Sequence, residues 1–481
     1  MDKSKYEMVI GLEVHVQLGT QSKAFCADST TFGAPANTQT STISLAHPGT
    51  LPYLNTRQVD FAIKLGLALG SKITTYTTFD RKNYFYADLP KGYQITQDAA
   101  PICVGGQLDI RVGDGWKKIK IHHIHMEEDA GKSMHDSADA FSRIDLNRAG
   151  VPLLEVVTEP DLRSAEEVDA FMTAMRQLVR YLGISDGNME QGSMRCDCNI
   201  SIRKKGVKTL GNRCEVKNLN SMRYARKAIG FEFKRQVECV ERGEVIRQQT
   251  LNFDPATGVT SPLRDKEDAH DYRYFPEPDL PPVKITKEQI QAIQSTMPRL
   301  PRELFEEFTT ERKLSAYDTD ILISEKAIAD YFLSLSKHHK DNKAIANLII
   351  NKIKPYCHDH NIEIQQFPVK QEQLAKMIVL IKDGKISNAA AYQKLLPAMI
   401  KSTGKNPLTL AQEMNLLQSD DGDFLTQLVD EVIAQNTDKV KAYQNGKKGL
   451  LGFFMGEVMK RSQGKAAPKT TNELLRKKLE P

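Results

Sequence analysis

The chain has 481 residues, 40% hydrophobic and 26% charged, the composition of an ordinary globular protein long enough for two or three domains. No apolar run approaches the roughly 18 residues of a membrane span, and the opening MDKSKYEMVI lacks the apolar segment of a secretory signal, so a cytoplasmic protein is expected. The net charge of +5 is unevenly placed: Lys439 to Pro481 holds nine Lys and two Arg against three Glu, a local +8 that leaves −3 for the rest and points either to a polyanionic partner or to a solvated basic tail.

Near the amino end, Ile10, Leu12, Val14, Val16 and Leu18 alternate with Gly11, Glu13, His15 and Gln17, which predicts a strand with one buried face. Glu13 and His15 share the other face, roughly 7 Å apart, close enough to converge on one cation if that face is more than a solvated surface. FDRKNYFYADLPKGYQITQ then interleaves Arg81, Lys82 and Lys91 with Phe79, Tyr84, Phe85, Tyr86 and Tyr93. Such a block either stacks and neutralises a nucleotide or forms half-buried aromatic strands.

The block HMEEDAGKSMH sets Glu127, Glu128, Asp129 and Lys132 close together. Gly131, Lys132 and Ser133 are not a phosphate-binding P-loop, because Met126 stands where that pattern requires glycine, and H-E-x-x-H is absent around His122, His123 and His125. LLEVVTEPD reads as a strand with Leu153, Glu155 and Val157 on one side. Ser164 and Glu167 form a capping box for a helix whose Val168, Phe171, Met172, Met175, Leu178 and Leu182 face the core, and Gly183 ends it. SMRCDCNISIR alternates a packed face with a stripe of Arg195, Asp197, Asn199, Ser201 and Arg203. RCEVKNLNS sets Arg213, Glu215 and Lys217 opposite Cys214 and Val216 before a helix capped by Asn220 or Ser221. Strand faces that mix acids and bases are either exposed surface or the floor of a cleft in which carboxylates hold divalent cations and Arg and Lys neutralise phosphate.

YFPEPDLPPVKI breaks regular structure, which places a linker at residues 276–292. The chain beyond it is predicted to be helical, with apolar residues at helical spacing in Glu325–Leu335, Ala344–Ile353 and Gln373–Ile381. KSTGKNP marks a second break at 401–407. In the tail, Gly449, Gly452 and Gly456 recur at helical spacing, baring backbone for a packed helix or for another close partner. Seven cysteines without a C-x-x-C pair imply reduced thiols.

Taken in order, IGLEVHVQL, HPGTLP, FDRKNYFYADLPKGYQITQ, HMEEDAGKSMH, NRAGVPLLEVVTEPD, DGNMEQGSMRCDCNISIR, EVKNLNS and HDYRYFPEPDL closely resemble the B-subunit family of the tRNA-dependent amidotransferases (GatB). The resemblance covers nearly the whole chain. It implies an α+β architecture: a glutamine-synthetase-like β-sheet cradle over 1–292, an all-α domain over 293–405 and a small YqeY-like helical tail over 406–481. The implied activity is ATP-dependent phosphorylation of the side-chain carboxylate of glutamate misacylated on the glutamine tRNA, or of aspartate on the asparagine tRNA, followed by amidation with ammonia.

By motif position the resemblance makes Glu13, His15, Glu128 and Glu155 the metal set, for Mg²⁺ by function with Mn²⁺ also compatible, and leaves Glu127 and Asp129 as second choices. Lys132, Arg195, Arg203 and Lys217 are assigned to phosphates. Lys447, Lys448, Gly449, Gly452, Lys460 and Arg461 are assigned to tRNA. With no amidase block of its own, the chain is expected in a heterotrimer with an amidase A subunit and a small C subunit. Many members of the family carry a four-cysteine zinc cluster near the start. Here only Cys26 remains, with Asp28, Ser41 and Ser44 at the other positions, so no structural zinc is expected and packing is expected to hold the loop. A metal-dependent nucleic-acid processing enzyme and a non-catalytic tRNA-binding subunit are the alternatives.

Overall fold

The computed structural model describes residues 3–134, 141–217, 219, 221–264, 272–418, 422–462 and 464–480. They form two compact units, Met1–Glu303 and Leu304–Pro481.

The first unit is built on one ten-stranded sheet. Its long strands in chain order are β1 (Tyr6–Gln17), β2 (Gly115–Glu128), β3 (Pro152–Thr158), β4 (Met194–Lys204), β5 (Cys214–Lys217), β6 (Gln249–Asp254) and β7 (Val259–Arg264). In space they run β7, β6, β5, β4, β1, β3, β2, so the amino-terminal strand is central and its neighbours come from far along the chain. Neighbours are antiparallel except β5 and β6, and the helix Met222–Glu241 supplies the crossover that a parallel pair needs.

The buried face of β1 carries Leu12, Val14 and Val16, each 1% exposed or less, matching the alternation in the sequence. Three helices share the core on that side: α1 (Thr56–Ala68), capped by Asn55; α2 (Ala165–Leu182), closed by Gly183 in the left-handed region at φ +65°; and the crossover helix Met222–Glu241. Ser164 caps α2 as expected. Glu167, however, turns its carboxylate to the Arg163 amide at 2.6 Å and to Lys117 at 2.7 Å rather than back to Ser164, so only half of the capping box forms. Phe171 of α2 is fully buried, and truncating such a side chain costs about 3–5 kcal/mol. Ser221 caps the helix after β5, while Asn220 lies outside the described residues.

The compact unit continues past the prolines at 276–282 through α3 (Lys287–Ser295), which packs on α1, and so runs beyond 292 to Glu303. The second unit is entirely helical among its described residues. Lys326–Ser336 and Gln371–Lys382 occupy two of the expected helical windows, and in the third the helix Asn342–Leu348 widens into a π turn at Ile349–Ile353. The tail helices Gly422–Ala434, Leu451–Arg461 and Pro468–Leu479 share a small core around Leu425, Val429, Phe454, Val458 and Leu475. Among the described residues no helix is long and apolar enough to cross a membrane.

Candidate active site

Strand register brings together side chains that are far apart in sequence. His15 on β1 lies opposite Glu155 of β3 and Arg195 of β4, Glu13 lies opposite Asp197 of β4, and Glu155 lies opposite His125 of β2. Because alternate residues share a face, all of these point to the side of the sheet away from the packed core. His15 Nε2 is 3.3 Å from Glu155 and 3.5 Å from Glu127, and His125 Nε2 is 3.4 Å and 3.6 Å from the same two carboxylates.

Electrostatics follow from that packing. Burial lowers the His15 pKa, but the hydrogen bond and charge of Glu155 and the charge of Glu127 outweigh it and raise it to about 8. For His125 the same balance reaches about 10. Burial raises Glu155, yet His125 and His15 hold its carboxyl well below the usual range. Beside them, burial and neighbouring His125 and His122 push His123 down to about 4.

The donor atoms of His15, Glu127 and Glu155 lie within 4.8 Å of one another, and so do those of Glu13, Asp197 and Glu215. The buried Glu127 and the half-buried Glu155, whose near counter-charges are imidazoles, fit a divalent cation, and one nitrogen with oxygens suits Mg²⁺ or Mn²⁺. The four residues assigned by motif are therefore distributed. His15 and Glu155 meet, Glu127 stands beside them, and Glu13 belongs to the neighbouring acidic group, hydrogen-bonded to Asn199 at 2.9 Å.

Glu128 points to the opposite face. It accepts from the Ile95 amide at 3.0 Å, pairs with Lys91 and lines a separate cavity of about 240 Å³ with Phe25, Cys26, Leu89 and Gly150. Adjacent glutamates on one strand must face opposite ways. The sequence does not say which of Glu127 and Glu128 shares a face with His15 and Glu155; pairing with β3 shows that it is Glu127. His125, which in sequence stands only within a failed peptidase pattern, is a further member of the cluster that register alone reveals.

The basic residues assigned to phosphate are held differently from one another. Arg195 donates to Asp129 at 3.1 Å, and Asp129, despite burial, is kept below the usual carboxylate range by Arg195 and Arg148. Lys217 sits between Asp197 at 2.9 Å and Glu215 at 2.7 Å. Arg203 donates to Glu7 at 2.8 Å, and Lys132 is exposed on the hairpin strand Lys132–Met134, which pairs with Arg143–Asp145. In the tail, Lys447, Lys448 and Gly449 are exposed just before the helix Leu451–Arg461, Gly452 lies in its first turn, and Lys460 and Arg461 lie at its far end. Eleven residues span roughly 16 Å, so these groups form a stripe rather than one point. Nothing lies within 4 Å of an added Cβ at Gly449, Gly452 or Gly456, so no close helix packing explains them among the described residues.

At the degenerate cysteine cluster the structure corrects the expectation of packing alone. Ser44 Oγ donates to Asp28 at 2.5 Å, the Ser41 amide donates to Ser44 Oγ at 2.9 Å, and the fully buried Lys23 lies 3.9 Å from Asp28 while donating to the Gln39 carbonyl at 2.7 Å. A polar network holds this loop.

Comparison with known proteins adds an independent line. Residues 8–291 match the family described as the GatB/GatE catalytic domain, and residues 330–479 match the GatB domain. The chain is 46% identical over 479 residues to a protein of Myxococcus xanthus, covering 100% of both chains, and 47% identical over 476 residues to one of Syntrophotalea carbinolica, covering 99% of both. A Wolbachia relative is 47% identical over 479 residues, with 100% of both chains covered. All three are named as the B subunit of an aspartyl/glutamyl-tRNA(Asn/Gln) amidotransferase.

Proposed function

The chain belongs to the GatB/GatE family, and from that premise we propose that the polar face of its sheet activates the side-chain carboxylate of glutamate carried on the glutamine tRNA, or of aspartate carried on the asparagine tRNA, and converts it to the amide. The observation that carries this reading is the convergence of His15, Glu127 and Glu155 on one face, flanked by the fixed cations Arg195 and Lys217.

A carboxylate is a poor electrophile, so activation comes first. One carboxylate oxygen attacks the γ-phosphorus of ATP, the bond from that phosphorus to the bridging oxygen breaks, and ADP leaves. Ammonia then attacks the acyl carbon, the bond to the phosphate oxygen breaks, phosphate leaves, and the nitrogen releases a proton to give the neutral amide. Both steps bring anionic oxygens together, and positioning plus charge neutralisation are the main contributions a protein makes to them. His15, Glu127 and Glu155 would hold a divalent cation, Mg²⁺ by function, which would supply neutralisation of phosphate charge, and Glu13, Asp197 and Glu215 form a second candidate set.

The rest falls to the chain's own groups. Burial lowers the Lys217 pKa, but Asp197 and Glu215 raise it well above the ordinary lysine value, so it stays cationic. Arg195, anchored by Asp129, and Asp129, anchored by Gln17 at 2.7 Å, form a rigid charged wall. Lys132 and Arg203 are assigned to phosphate more remotely. Ammonia comes from a partner: the chain works in the cytoplasm within a heterotrimer with an amidase A subunit and a small C subunit. Residues 406–481 hold tRNA through Lys447, Lys448, Lys460 and Arg461, the helical segment 293–405 joins the two functions, and no structural zinc takes part.

The test is ATP turnover by the assembled complex with each misacylated tRNA, with hydroxylamine added to trap the acyl phosphate as a hydroxamate. One ADP per amide and a trapped hydroxamate are expected. Amide formation without ATP consumption would sink the proposal.

A further inference from the structure

Helix α1 lays Val59, Ala62, Ile63 and Leu65 against the core, and among these apolar residues stands Gln58, buried at 0% exposure. Its Nε2 donates to the Glu127 carbonyl at 3.0 Å and to the Leu153 carbonyl at 3.3 Å. Its Oε1 is buried and, among the described residues, has no hydrogen-bond partner. An orphaned buried amide oxygen is destabilising, so leucine would suit this position better if packing were its only duty. What the carboxamide adds is a grip on two strands at once, because Leu153 of β3 is the register partner of Glu127 of β2.

The opposite edge of β2 is held by the same means. The short strand Cys103–Val104 pairs there with Ile124 and His123, and among the described residues no strand of the sheet follows that edge further toward Glu128. Instead the Gln97 side chain accepts from the Met126 amide at 3.0 Å, and the Gln94 side chain donates to the Glu128 carbonyl at 2.7 Å. Both glutamines are buried. Met126 and Glu128, two residues apart, turn backbone groups outward, while Glu127 between them turns its own toward β3. Three carboxamides thus clasp the strand end that carries the two glutamates.

Register has a particular consequence in this strand. Its pairing with β3 already shifts by one residue at the other end, where Val157 faces His123 but Thr158 faces Ile121, leaving His122 as the extra residue. A one-residue slip turns every side chain to the other face. Here it would exchange Glu127, 3.5 Å from His15, for Glu128, which pairs with Lys91 on the far side. We propose that Gln58 is a positioning residue of the site: with Gln94 and Gln97 it locks β2 against β3 so that Glu127, and not its neighbour, stands with His15 and Glu155. The role rests on the proposed function and adds to it a residue that acts through the backbone of Glu127.

The experiment uses the assembled complex with Gln58→Leu, which keeps the bulk, removes the donor and relieves the orphaned oxygen. Mn²⁺ affinity is read by electron paramagnetic resonance, stability by thermal unfolding, and kcat and KM for misacylated tRNA by amide formation at saturating ATP. Gln58→Leu should weaken Mn²⁺ binding about tenfold and lower kcat, with KM changed less than about twofold. Its unfolding midpoint should equal or exceed that of the unaltered complex, which loss of a merely structural contact would not allow. In a Glu127→Gln background it should cost no further Mn²⁺ affinity, because it acts through Glu127. Unchanged Mn²⁺ affinity, a lowered midpoint, or a loss that multiplies with that of Glu127→Gln overturns the assignment. If Glu127→Gln by itself leaves Mn²⁺ binding intact, the metal reading of the cluster fails, and hydrogen exchange decides the lock alone: amides of residues 121–128 should exchange about tenfold faster in Gln58→Leu, and equal exchange overturns it. In case Gln58→Leu does not fold, Gln97→Met, which frees the Met126 amide on the opposite edge, is held to the same Mn²⁺ and exchange criteria.

Discussion

Neutralising Glu127 and Glu128 separately gives the sharpest test of the site, because adjacent residues of one strand are assigned to opposite faces. Glu127→Gln removes one of three donors whose atoms lie within 4.8 Å of each other. Losing a group that holds a metal or its ligands costs about 10–100-fold in affinity, which at 1.36 kcal/mol per tenfold is about 1.4–2.7 kcal/mol. Glu128→Gln leaves that set intact. It deprives Lys91 of its carboxylate partner on the other face, where the two side chains are 17% and 5% exposed, and the penalty of about 1–3 kcal/mol falls on stability. Mn²⁺ titration followed by electron paramagnetic resonance reads affinity directly, and thermal unfolding of the same samples reads stability. The expected pattern is weakened Mn²⁺ binding with a near-normal midpoint for Glu127→Gln and the reverse for Glu128→Gln. Equal losses of Mn²⁺ affinity, or a larger loss in Glu128→Gln, would refute the face assignment.

Glu13→Ala and His15→Ala should each abolish amide formation while glutamine hydrolysis by the partner persists; near-normal transamidation in both would remove β1 from the chemistry. Deleting everything after Gly404 should raise KM for misacylated tRNA about tenfold or more through lost counterion release, with partner assembly retained, and unchanged affinity at matched salt would reduce the tail to a packing element. Asp28 is pushed up by burial but held below its ordinary 3.8 by Ser44, Cys26 and Lys23, so its stabilising contribution is full above the ordinary value and disappears as pH falls through the lowered one. The stability difference between the unaltered protein and Asp28→Asn, measured in urea, should be constant above about pH 5 and shrink below about pH 4; a difference that grows on acidification contradicts the network. Elemental analysis of the same protein should find well below one zinc per chain, and stoichiometric zinc lost on Cys26→Ser would show that Asp28 or another group replaces the missing thiolates and would overturn this reading of the loop.

How far the sequence carries depends on the kind of pattern read. Alternation from Ile10 to Leu18 fixes the faces of β1 because period and burial coincide, and Val168 to Leu182 fixes a helix for the same reason. Local patterns do not report which strands adjoin. The convergence of His15, His125, Glu127 and Glu155 depends on β1 pairing with β3 and β3 with β2, so membership of the cluster stays open until register is known. The loop at Cys26 shows the converse: missing thiolates are plain in sequence, while their replacement by Asp28, Ser44 and Lys23 requires contacts across 21 residues.

The central place of β1 also bears on how the chain is made. Its first strand leaves the ribosome early, yet one hydrogen-bonding neighbour begins only at Pro152 and the other at Met194. At synthesis rates of about 5–20 residues per second, the stretch from Gln17 to Pro152 keeps Ile10, Leu12, Val14 and Val16 without their native edge for roughly 7–27 seconds. A strand that later lies at the middle of the sheet therefore spends its first moments as an adhesive apolar ribbon, a natural client for chaperones that hold nascent chains. Translation pauses between residues 17 and 152 should aggravate aggregation more than pauses after residue 204, when both neighbours are complete.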